Sequence, residues 1–155
     1  ILVAILNHWE GVILSTHKLT CLSLVISLIL LLLKSTLELG LLSPAVAELV
    51  YDTRSIVVGY LHLTLLGVIS LFLLSQMQML NIIQANKQLV TTGFWLYFIG
   101  FGLNEGLLFL SGLLTWMKFP VITFYLEGLL LASVMLLIAI SIIWFSIIKN
   151  KKAVL

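Results

Sequence analysis

From Leu19 to Leu33 the chain carries no charge, and the hydroxyls of Thr20, Ser23 and Ser27 are the main polar groups in an otherwise apolar run. Continued to Leu42, the run is long enough to cross the ~30 Å hydrocarbon core of a bilayer as a helix. Lys34 and Glu38 punctuate its far end, four residues apart and therefore on one helical face. Three more such stretches follow. Hydrophobic residues make up 62% of the chain and charged residues 9%. A soluble domain of this length keeps too much surface exposed to hide that much apolar area. The composition also excludes a disordered chain, and a net charge of +2 gives no reason to expect a nucleic-acid partner. The lone cysteine, Cys21, excludes an internal disulfide and a cysteine-clustered metal site.

The spans are expected at about 19–42, 56–80, 89–114 and 121–148, within a single transmembrane region. The expected fold is all-α, a polytopic transmembrane bundle with the lipid bilayer as its first partner. Pro44 and Pro120 both fall in connections, where a missing N–H costs little. Five of the eight basic residues (Lys18, Lys87, Lys149, Lys151, Lys152) lie on one side of such a bundle, and Lys34, Arg54 and Lys118 on the other. The excess marks the side of the C-terminus as cytoplasmic. Trp116, Phe119, Trp144 and Phe145 stand near span ends, as an aromatic belt requires. The opening run Ile1 to Leu6 reads as the tail of an earlier apolar helix, so the chain is expected to be a fragment of a larger fold.

Within the spans a few polar residues stand out, and ionisable groups there are costly and often functional. His62 lies eight residues beyond Arg54, about 12 Å deeper along a helix. Its imidazole must find partners for both nitrogens or bind a metal. Asn104 and Glu105 lie near the middle of the third span, and Glu105 is a candidate for a proton path. Gly102 and Gly106 form a small-xxx-small pair, which predicts close approach of a neighbouring helix; Gly100, Gly102 and Gly106 are expected to face the second span. Glu127 opens the fourth span near the interface. His8, Glu10 and His17 have no regular ligand spacing, and no HExxH, phosphate loop or nucleophile elbow is present.

The surroundings of His62 resemble the catalytic subunit I of haem-copper oxidases. The family places an Asp-Thr pair at the outer mouth of its tenth span, followed by Val-Val-Ala-His-Phe-His. Here the string is Asp52-Thr53-Arg-Ser-Ile-Val57-Val58-Gly59-Tyr60-Leu61-His62, one residue longer between the landmarks. The eleventh helix of the family is similar to Phe94-Trp95-Leu96-Tyr97-Phe98-Ile99-Gly100. Together the two matches cover about 45 residues.

The resemblance implies four C-terminal spans of a twelve-span fold in a plasma or inner membrane. It implies haem as cofactor, with His62 ligating the low-spin haem. Tyr60 occupies the position of the high-spin haem ligand, a departure that points to loss of that site and puts oxygen or nitric oxide reduction in question. Tyr51 stands where the family has the histidine that helps bind a nonredox metal, so the metal that the resemblance implies at Asp52 would lack that ligand. Copper ligands would lie outside this chain, and partner oxidase subunits or an electron donor are implied. Two other readings stay open: a non-catalytic haem-binding protein or sensor, and a cofactor-free transporter-like or structural bundle.

Overall fold

A computed structural model describes residues 18–80, 82–83, 88–120 and 123–154; of Leu49, Asp52 and 149–154 it describes the backbone alone. Among the described residues all regular structure is helical: α1 (Lys18–Gly40), the short α2 (Pro44–Asp52), α3 (Arg54–Met79), α4 (Gln88–Trp116) and α5 (Tyr125–Val154). α1, α3, α4 and the Tyr125–Ile148 part of α5 are long and apolar enough to cross a membrane, which makes the chain an integral membrane protein. They run up and down in sequence order, α1 packing on α3, α3 on α4 and α4 on α5. The Lys18 end therefore gathers the start of α1, the end of α3 and the start of α4. The Arg54 end gathers their opposite termini.

The packing is inverted relative to a soluble bundle. The buried residues of α1 are Thr20, Ser23 and Ser27, whereas Ile29, Leu32 and Leu39 are among its exposed residues. Lipid solvates leucine as well as a protein core does, so the interfaces select small side chains that let backbones approach. Ser23 returns its hydroxyl to Leu19 O at 2.9 Å, and Ser27 donates across to Val68 O of α3 at 3.1 Å.

α4 is the central helix. Seven residues are nearly two turns, so residues seven apart share a face. Gly93, Gly100 and Leu107 form the stripe against α5. A Cβ at Gly93 would lie 2.9 Å from Ile143 Cγ1, one at Gly100 3.3 Å from Leu136 N, and Leu107 Cδ1 lies 2.8 Å from the Cβ position of Gly128. Against α3 the contacts pair Gly112 with Ile56, Leu108 with Gly59 and Phe101 with Gly67.

This corrects one expectation. Gly102 and Gly106 face outward, with nothing within 4 Å of a Cβ built on either, and Gly100 meets α5 rather than α3. Spans two and three are adjacent as expected, but through Gly59, Gly67 and Gly112. The 102–106 pair lies on the face of α4 opposite these contacts, so its spacing has no neighbouring helix to serve among the described residues.

α3 is not α-helical throughout. From Leu63 to Ser70 it widens into a π-helical segment, where backbone bonds span five residues rather than four. Ser70 Oγ donates to Leu65 O, five residues back, at 2.8 Å. Two carbonyls of the segment accept hydroxyls from neighbouring helices: Leu66 O from Tyr97 of α4 at 2.8 Å, and Val68 O from Ser27 of α1 at 3.1 Å. Between them Gly67 admits the Phe101 ring and a Leu30 methyl, 2.7 and 2.9 Å from where its Cβ would be.

Beyond α4 the chain turns in a Schellman-type cap: Phe119 N donates to Leu114 O at 2.9 Å. Lys118 takes the left-handed position with φ 57°.

Candidate functional site

His62 ends the α-helical part of α3, immediately before the π segment. It is half-buried, and its Nδ1 lies 2.8 Å from Val58 O, one turn back. A carbonyl only accepts, so in the neutral imidazole this contact places the proton on Nδ1 and leaves Nε2 with its lone pair. That is the tautomer in which an imidazole ligates a metal through Nε2, with the other nitrogen held by a backbone carbonyl.

Tyr60 stands two residues earlier, about 200° around the helix, and so points to a different flank. Its hydroxyl donates to Glu38 Oε1 of α1, a partnership the sequence reading missed. Lys34 bonds the same oxygen from one turn earlier in α1, and its ammonium lies 5.5 Å from the centre of the Tyr60 ring. Lys34 and Glu38, expected on one helical face, are paired, and Tyr60 enlarges the pair into a three-residue polar cluster joining α1 and α3. The phenol oxygen is engaged by a carboxylate. Since residues two apart diverge, the imidazole of His62 is directed away from α1.

Glu105 is half-buried and Asn104, beside it, is buried. Asn104 Nδ2 and Glu105 Oε1 are shielded from solvent without a hydrogen-bond partner. Asn104 lies between Phe101 and Leu108, two of the residues that touch α3. Glu105 shares its stripe with Phe98 and Gly112, the former packed against core clusters that α1, α3 and α5 all enter and the latter on Ile56. Both therefore look into the bundle, Glu105 on the α3 flank away from α5 and Asn104, seven residues on from Tyr97, between α3 and α5. Gln78, in the last turn of α3, is a further buried amide without a partner for either of its polar atoms. It escaped the sequence reading because it stands near a span end, where a glutamine is unremarkable.

The remaining candidates are not brought together. Asp52 closes α2, and its side chain lies outside the described ones; Tyr51 beside it is exposed. Glu127 is exposed in the first turn of α5. His8, Glu10 and His17 lie outside the described residues. Among the described residues no three His, Cys, Asp or Glu side chains converge as a metal site. No protein-family model, curated protein or solved structure matches this chain.

Proposed function

We propose that the chain is part of a membrane-embedded haem protein in which His62 supplies one axial ligand to a low-spin haem used in electron transfer. The observation that carries this reading is the pinned Nδ1 of His62, which leaves Nε2 free to ligate within a membrane span. Tyr60 does not fit as a second haem ligand, because its hydroxyl is given to Glu38. Reduction of oxygen or nitric oxide is therefore left out of the proposal, and copper has no ligand assigned here. A low-spin haem, when bound, exchanges single electrons without taking up substrate. The protein would hold the iron through His62, orient the imidazole through Val58 O, and exclude water with the apolar spans.

Partner subunits or an electron donor are part of the proposal, as is a plasma or inner membrane with a cytoplasmic C-terminus. Lys18 opens α1 at the same end at which α5 closes, which agrees with the lysine asymmetry.

The test is a reduced-minus-oxidised optical spectrum of the protein purified from haem-replete membranes. Sharp low-spin bands are expected, unchanged in Tyr60→Phe. Absence of any Soret absorption would leave His62 a packed residue and return the chain to the cofactor-free reading.

A further inference from the structure

We propose that Glu105 is a proton-exchange site in the membrane interior, reached from the Arg54 end of the bundle through the Lys34–Glu38–Tyr60 cluster. The placement follows from helix register. Gly59 meets Leu108, and Gly67 meets both Phe101 and Leu30. Glu105 lies between Phe101 and Leu108 in α4, so it is level with the part of α3 between Gly67 and Gly59. Tyr60 lies at that level, and Lys34 is one turn beyond Leu30 in α1. Phe98, one heptad before Glu105, packs against the same two core clusters that Leu19, Ile26 and Leu30 of α1 join, and the Glu105 stripe lies beyond the α3 contact on the side away from α5, toward the flank that α1 covers.

The groups form a graded series. Glu38, 48% exposed, stands two residues from the end of α1; Lys34, 20% exposed, is one turn deeper. Asn104, 4% exposed, and Glu105 lie at mid-span, where Asn104 Nδ2 and Glu105 Oε1 are buried with no hydrogen-bond partner. A buried carboxylate without a partner is costly, whereas a carboxylic acid there loses far less. A carboxyl group in this position can hold a proton, and the exposed cluster gives it a route to water. The exchange makes and breaks only O–H and N–H bonds: water at the Arg54 end donates, Glu105 accepts, and the same path returns the proton.

Among the described residues the titratable groups on this flank are Lys34 and Glu38 from α1 and Tyr60 from α3. His62 points to the other flank of α3, and α5, with Glu127, packs on the opposite stripe of α4. The proposal does not rest on the haem reading.

The test is infrared difference spectroscopy after a pH jump, on the purified protein in lipid. The wild type should show a carboxylic-acid C=O band that titrates. Glu105→Gln should abolish it with the helical circular dichroism retained, and Glu105→Asp should restore it at a shifted frequency. Lys34→Met should preserve the amplitude and slow its appearance by roughly a hundredfold, the usual scale for losing a positioned proton-transfer group. A band that survives in Glu105→Gln overturns the site. An unchanged rate in Lys34→Met overturns the route. Absence of any titrating band from the folded wild type overturns both.

Discussion

The hydroxyl of Tyr97 joins α4 to the π segment of α3, and Tyr97→Phe removes that hydroxyl while keeping the ring. The ring is fully buried, so water cannot replace the lost donor at Leu66 O. Interhelical hydrogen bonds in membranes average about 0.6 kcal/mol with an upper range near 1.7. The acceptor here is a backbone carbonyl within an irregular turn, and an unmet buried carbonyl costs about 1–3 kcal/mol in proteins generally. A loss of about 1–1.5 kcal/mol is therefore expected. Ser27→Ala removes the second hydroxyl, to Val68 O, at a longer 3.1 Å and is expected to cost less. Both bonds hold the same eight-residue segment, so the two changes should couple by about 0.5 kcal/mol or more in a double-mutant cycle. The assay is reversible unfolding in mixed detergent micelles, followed by far-ultraviolet circular dichroism. Independent effects, or a Tyr97→Phe protein as stable as the parent, would refute the claim that the π segment is held from both sides.

Two further predictions use the same assay. Gly100→Leu should destabilise by about 1–3 kcal/mol through overpacking on Met135 and Leu136, while Gly102→Leu on the open face should be near neutral. Lys118→Gly should stabilise by less than about 1 kcal/mol, because relief at the left-handed position is partly offset by glycine's larger unfolded-state entropy.

The spans were legible because length and apolarity decide them. Arg54–Met79 and Gln88–Trp116 differ from the expected bounds by at most two residues. The packed face of α1 was also present in the sequence, since Thr20, Ser23 and Ser27 recur at helical spacing and all three are buried. The working glycines were harder to identify. Gly102 and Gly106 have the recognised spacing, but Gly93 and Gly100 make the contact with α5, at a seven-residue interval that a straight helix pair uses just as well. Nothing local announced the π segment: Leu63–Ser70 reads as ordinary apolar helix, and the hydroxyls that meet its carbonyls come from Tyr97 and Ser27, distant in sequence. The Tyr60–Glu38 bond was hidden for the same reason, being a contact between residues 22 apart. His62 was visible as an ionisable group in a span, but its tautomer became readable only with Val58 O in place.

The central claim is that His62 holds a haem iron through Nε2. Electron paramagnetic resonance of the oxidised protein, purified from its own membrane, tests it most directly when wild type is set beside His62→Ala. A six-coordinate low-spin signal in the wild type, replaced in His62→Ala by a high-spin signal or by loss of the haem, is the predicted result. A His62→Ala protein that keeps the full low-spin signal would contradict the account, since the iron would then take both axial ligands from elsewhere.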